Sequence, residues 1–497
     1  MQMEEQDPTN CSRKAASLIE ASTFHNLVLA EPRDPMRSVS PVFVFSVCFA
    51  ALAAIWMVGN PRIVRVAIPG LFFMVALCLY FVRPVLYVQY TLWIWFLTPL
   101  LRRLVDLRFG YMESNVVLLA PFLATAVAGL TLILPATQNR WRIPKVFILC
   151  TLGIVHGFVI GMLLNPSAEA VYGLLNWLSP LLFGLHIYFN WSRYRQYQKA
   201  ICNTFLMGAF VLGLYGLFQF FAPPAWDTYW LTNVQYQSLN PAFGQPEPFA
   251  IRVWSTLHSP TPFANVMMAA LFLLLVVRSP LKFPAAVAGG LSFLLSMVRT
   301  AWVSWFAGLF FILRKTQLRL LVQIVVIALL LLVALWPLAS DPRVSPVIGD
   351  RIKTFTDLGH DESALARLNM YKKLGAEILD HPFGFGLSNM TIIQNIPIDS
   401  GLVLTAFSLG WTGTLLFLFG IVSLYLSRYR INSDHDEFIR VGRAILFAFL
   451  LELLSFNIFV NVTGLIFWMF IGLELGAFQF ATFEQSQQTF VEELKAA

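Results

Sequence analysis

Runs of roughly twenty apolar residues, parted by short polar breaks, recur from residue 41 to residue 480. A helix needs about twenty such residues to cross a hydrocarbon core ~30 Å thick, and helices satisfy their own backbone hydrogen bonds where water cannot. The pattern predicts an all-α, polytopic integral membrane bundle of about 12–14 transmembrane helices. Spans are expected near 41–58, 63–82, 85–101, 116–134, 144–164, 170–190 and 199–221. A second set lies near 260–277, 282–298, 300–313, 320–338, 401–426, 440–456 and 463–480, of which 300–313 and 440–456 are short for the task. One long polar excursion interrupts the series. The chain divides accordingly into a cytoplasmic tail (1–40), a transmembrane bundle (41–338) that includes an outer loop at 222–259, a large periplasmic loop (339–398), C-terminal transmembrane helices (399–481) and a second cytoplasmic tail (482–497).

Inside the large loop, 361–380 reads as an amphipathic helix. Leu365, Leu368, Tyr371, Leu374 and Ile378 recur at three- and four-residue steps. Asp361 suits the helix start and His381-Pro382 follows its end, after which Gly384-Phe385-Gly386 turns the chain.

Composition agrees with a lipid solvent. Hydrophobic residues make up 58% of the 497 and charged residues 12%, with a mean hydropathy of +0.68, whereas a soluble domain is about a quarter charged. The net charge of +7 would suit a polyanion, but most of the 34 Lys and Arg fall in the N-terminal tail, the C-terminus and the connections on one side. Arg140–Lys145, Arg193–Lys199, Arg278–Lys282, Arg314–Arg319 and Arg428–Arg443 are such connections. The basic charge is therefore a topology signal that places both termini in the cytoplasm, and no nucleic-acid partner is expected. Cys11, Cys48, Cys78, Cys150 and Cys202 fit neither a disulfide framework nor a zinc site.

The exceptional charge gathers at the predicted outer face. Arg299 stands in a hairpin between two apolar spans, where an ionisable side chain is expensive and marks function, although an arginine there can also snorkel to the interface. Arg102, Arg103 and Arg108 run against the positive-inside trend; they either widen a basic funnel for an anionic lipid or contact headgroups. Asp399 opens an apolar helix, where it is a favoured N-cap as well as a candidate base. Asp434-His435-Asp436 reads as a solvated turn, and His156, Glu452 and Glu474, scattered singly within spans, read as partners of neighbouring helices.

Several stretches resemble the O-antigen ligase/polymerase (Wzy-like) family, bacterial inner-membrane enzymes that act on lipid-linked sugars. Arg252–Ala264 (RVWSTLHSPTPFA) is similar to the family's arginine and histidine-proline turn before a span, and Ser296–Trp302 (SMVRTAW) to its serine-arginine hairpin. Leu365–Gly386 (LARLNMYKKLGAEILDHPFGFG) resembles its arginine helix followed by Pro-x-Gly-x-Gly, and Ile398–Gly413 (IDSGLVLTAFSLGWTG) the span that comes after. Ligases of the family begin that span with a histidine. This chain has Asp399 there, which places the resemblance nearer the exopolysaccharide and O-antigen polymerases.

The resemblance implies a GT-C-like, inverting glycosyl transfer without metal or cofactor. The partners are an undecaprenyl-diphosphate-linked glycan donor and acceptor, membrane lipid, and a chain-length regulator and flippase. Fixed cations aimed at the departing diphosphate would supply the largest catalytic effect, and the planar fork of arginine suits phosphate oxygens. Arg299, Arg367 and Arg252 are expected to grip it, with Arg102, Arg103 and Arg108 flanking. Asp399 or His258 would take the acceptor proton, a contribution of roughly 10²–10⁴-fold, with His381 and Glu169 as further candidates. A ligase that hands a finished glycan to a lipid or protein is the enzymatic alternative, and a polysaccharide exporter or secondary transporter the non-enzymatic one.

Overall fold

The computed structural model describes residues 41–133, 143–238, 243–313, 322–333 apart from 328 and 332, 371–387 apart from 376, 392–393, 396–397, 400–426 and 436–496. It is helical almost throughout; one two-residue antiparallel pair joins Ile392–Ile393 to Ile396–Pro397. Along the chain run α1 (Pro41–Met57), α2 (Pro61–Val82), α3 (Pro84–Phe109), the segmented α4 (Val116–Ile133), α5 (Lys145–Leu164), α6 (Ala168–Phe189) and α7 (Tyr194–Phe221). They are followed by α8 (Ala225–Ser238), α9 (Pro260–Leu274), α10 (Lys282–Leu295), α11 (Arg299–Leu313), α12 (Gly401–Leu426), α13 (Glu437–Glu452) and α14 (Asn461–Ala496). Local chemistry sets the starts. Asn60 accepts from Arg62 N at 3.0 Å, Ser167 from Ala170 N, and Asp436 from Phe438 N at 3.0 Å. Asp436 is thus a helix cap that also accepts from Tyr194 OH at 2.7 Å, and Asp434 and His435 lie outside the described residues.

Among the described residues eight helices, α2–α7, α12 and α14, are long and apolar enough to cross a membrane, so the chain is a multi-pass membrane protein. The expected spans near 260–277, 282–298 and 300–313 are shorter: α9, α10 and α11 have 15, 14 and 15 residues, about 22 Å of helix or less. α9 owes its apolar composition to protein rather than lipid, because from Phe263 to Leu274 every residue is buried. Segment 440–456 falls in α13, which ends at Glu452 and is likewise short.

Small residues let the spans touch. Gly184 of α6 lies against the backbone of Trp468 and Gly472 of α14, and Gly213 of α7 against Ala288 and Gly289 of α10. Gly153, Gly157 and Gly161 line one stripe of α5; the first two meet Gly413, Phe417, Ser408 and Leu409 of α12. Close backbone approach of this kind drives association where lipid offers no hydrophobic force.

α12 is two half-helices. Gly410 breaks it with φ 66° and ψ 169°, nine residues in, about 14 Å along the axis. The gap is filled by Pro382–Leu387, the turn expected within the large loop. Phe385 N donates to Phe407 O at 2.8 Å, Thr412 Oγ1 to Pro382 O at 2.8 Å, and Leu387 N to Gly157 O at 3.0 Å. Irregular backbone at such depth is tolerated only when protein satisfies it in this way. The predicted 361–380 helix is present over 371–375 and 377–380, with 361–370 outside the described residues. Its apolar face docks as the spacing required: Leu374 is buried with Val403 and Phe407 of α12, and Ile378 packs beside them.

Candidate functional site

Several described elements meet on one non-helical segment, Ile251–His258, which turns at Ser255–Thr256. Val253 N donates to Leu295 O at 3.0 Å, and Arg252 donates from Nε to Ser296 O at 3.3 Å and from Nη2 to Met297 O at 3.2 Å. Arg252 thereby pins the hairpin that carries Arg299. Ser255 sits at φ 52° and Met297 at φ 58°, left-handed conformations that cost non-glycine residues about 1–3 kcal/mol and gather at functional sites. Ser255 is held there from several sides: its N donates to Gln219 Oε1 at 2.9 Å, its Oγ to Leu212 O at 2.7 Å, and its carbonyl accepts from Arg103 Nη2 at 2.6 Å.

Arg102 and Arg103 are not an open funnel. They are 3% and 2% exposed, and each is neutralised by a carboxylate. Arg102 Nε donates to Asp106 Oδ2 at 3.0 Å, one turn along α3, and its Nη2 to the carbonyls of Met112 and Glu113. Arg103 Nε lies 3.1 Å from Asp227 Oδ1 without hydrogen-bond alignment, so that contact is mainly Coulombic. Asp227 Oδ2 also accepts from Gln219 Nε2 at 2.7 Å and Tyr215 OH at 3.0 Å. Burial raises the carboxyl pKa of Asp227 and the Arg103 charge opposes the rise. Asn115 and Arg65 complete the shell of Asp106 at 2.7 and 4.0 Å. Arg108 behaves differently. It lies at the surface, donates to Trp56 O at 2.9 Å and covers the Trp56 ring at 4.8 Å, as an interfacial arginine does.

His258 lies beside this pair. Its surface is exposed, yet it packs on Trp230 at 5.7 Å between centroids and is desolvated by the protein around it. Desolvation first, then the Arg102 and Arg103 charges, push its pKa down to about 4 from 6.5, so the imidazole is neutral at pH 7. The unfolded chain takes up the proton first as pH falls, so this contribution to stability is whole above pH 6.5 and drains away toward pH 4. His258→Gln should therefore shrink the loss of Tm between pH 7 and pH 5 relative to the natural protein; parallel curves for the two would show that His258 is not the group responsible.

Arg299 is half-buried as the first residue of α11. Next to it Thr300 Oγ1 donates to Glu452 Oε2 at 3.3 Å, and Ser304 Oγ to Glu452 Oε1 at 3.2 Å. Glu452 is fully buried at the end of α13. Of the other intramembrane groups, Glu474 accepts from Arg443 Nε at 2.8 Å and His156 Nε2 lies 3.4 Å from Thr412 Oγ1. All three contact neighbouring helices. Asp399 and Arg367 lie outside the described residues, but Ser400 is visible: its Oγ accepts from Tyr371 OH at 2.7 Å, and Tyr371 OH also reaches Leu454 O at 3.1 Å. Leu402 N donates to Leu453 O at 3.1 Å, so the start of α12 abuts the end of α13, one residue from Glu452. His381 is exposed, its Nδ1 3.0 Å from Glu377 O, and Glu169 stands in the first turn of α6.

The structure therefore gathers Arg102, Arg103, Arg252, His258 and the Arg299 hairpin. Sequence reasoning missed Asp106, Asp227 and Gln219, whereas Glu452 was expected to bond to a neighbouring helix and does. Only Asp106 carried a signal, its i,i+4 spacing from Arg102. No protein-family model matches the chain, and no curated protein matches it in sequence.

Proposed function

We propose that the chain is a membrane glycosyltransferase that polymerises undecaprenyl-diphosphate-linked oligosaccharide repeat units into exopolysaccharide or O-antigen at the outer face of a bacterial inner membrane. The observation that supports this reading most is the convergence just described. Arg103 and Arg252 join the hairpin that carries Arg299 around a strained segment ending in a neutral histidine.

In the reaction, the bond between the donor sugar's anomeric carbon and the diphosphate oxygen breaks. A new bond forms from that carbon to the acceptor hydroxyl oxygen, with inversion. The electron pair leaves on the diphosphate, where Arg299 and Arg367 stabilise it; Arg252 sets the hairpin geometry. The acceptor proton goes to Asp399 or His258. Arg102 and Arg103, each held by its own carboxylate, shape the wall rather than supply free charge.

Changing Arg299 or Arg367 singly to Ala should abolish long polymer while the protein remains in the membrane, leaving single repeat units on the carrier in a gel of lipid-linked products. Full-length polymer from both variants would refute the diphosphate role. Long chains retained on the carrier would instead indicate the ligase alternative. A transporter is a second reading, favoured by the break in α12, since half-helix ends form substrate sites in such proteins. Here the chain's own Pro382–Leu387 occupies the break, which supports a structural use of it.

A further inference from the structure

Near His258, three buried donors make no hydrogen bond among the described residues: Arg103 Nη1, Trp230 Nε1 and Trp254 Nε1. Their residues touch in sequence. The Arg103 guanidinium lies 5.9 Å from the Trp254 ring, Trp254 is 6.0 Å from Trp230, and Trp230 is 5.7 Å from His258. Arg102 covers the Trp230 ring at 5.6 Å. The one unsatisfied acceptor at this place, Asp227 Oδ1, is already committed to Arg103 Nε. Among the described residues charge is unbalanced in the same direction, because Arg65, Arg102 and Arg103 share two carboxylates, Asp106 and Asp227. Buried donors are costly to leave unmade, and three at one place ask for an acceptor from outside.

We propose that Arg103 Nη1, Trp230 Nε1 and Trp254 Nε1 form a recess for an oxyanion presented by the substrate, either the carboxylate of an acidic sugar or a phosphate oxygen, which enters past His258. The chemistry of the recess rests on these donors; the source of the anion rests on the glycan-transfer reading. The indole N–H groups give direction without adding charge, and Arg103 Nη1 adds a third donor from a guanidinium that Asp227 holds in place. A neutral sugar leaves the donors unpaired, so the recess would select repeat units that carry an acid.

The test is calorimetric titration of the full-length protein in lipid nanodiscs with sodium glucuronate, inorganic pyrophosphate and glucose at fixed ionic strength. Saturable binding of either anion, with none of glucose, is expected. Glucuronate alone would identify a sugar carboxylate, and pyrophosphate alone the carrier. Trp230→Phe and Trp254→Phe keep the aromatic volume and remove one donor each, and each should weaken the anion about 5–10-fold. The proposal is overturned if neither anion binds, if glucose binds equally, or if both variants bind like the natural protein. Its fate separates from that of the polymerase reading. Anion binding alongside full polymer from Arg299→Ala and Arg367→Ala removes glycan transfer and keeps the recess, whereas polymer that depends on Arg299 without anion binding removes the recess alone.

Discussion

Asp227→Ala is expected to destabilise the protein by about 3–5 kcal/mol, the cost of leaving a buried charge without its partner. Asp227 is fully buried, and the guanidinium it faces is 2% exposed. The same carboxylate orients Gln219, whose Oε1 accepts from Trp254 N at 3.1 Å and Ser255 N at 2.9 Å. Its loss thus unbalances Arg103 and releases the strained segment together. Asp227→Asn, which keeps an acceptor and loses the charge, should fall between. Removing both charges with Arg103→Met and Asp227→Leu should recover much of the stability, because a buried pair replaced by apolar groups is often neutral or better. Thermal unfolding in one detergent or nanodisc preparation measures all of these. An unchanged Tm for Asp227→Ala would show that the Arg103 charge is compensated elsewhere.

The second large effect is expected at Gly386. Its φ is 85°, and a Cβ there would collide with the backbone of Gly161 on α5. Left-handed backbone costs an L-residue roughly 1–2 kcal/mol, and overpacking adds about 1–3 kcal/mol. Gly386→Ala should therefore cost about 2–5 kcal/mol on these two scales. Gly70 within α2 is the control: nothing lies within 4 Å of a Cβ placed there, and alanine is the better helix former by about 1 kcal/mol. Gly70→Ala should leave Tm level or raise it. Equal shifts for the two variants would mean that the 382–387 segment packs more loosely than its contacts require.

The membrane class and most span positions were legible because hydropathy is a local property with a fixed length scale. The docking face of the 371–380 helix was legible too, since Leu374 and Ile378 obey helical spacing. The length of α9 was not, because hydropathy alone cannot tell a helix buried in protein from one buried in lipid. His-Pro-Phe-Gly-Phe-Gly read only as a turn within the large outer loop because its packing is set by Gly157, Gly161 and Gly410, residues remote in sequence. The same reason hid the carboxylates. Arg103 and Asp227 stand 124 positions apart, and no periodicity links them. The arginines looked like free charge because an arginine's partner is invisible until the chain has folded.

The seating of Pro382–Leu387 in the α12 gap ties distant parts of this protein into one unit of inheritance. A larger residue at Gly157, Gly161 or Gly410 displaces the inserted strand of backbone, and a change of length within that strand strands peptide groups in oil. Drift at any of these places must be answered at the others.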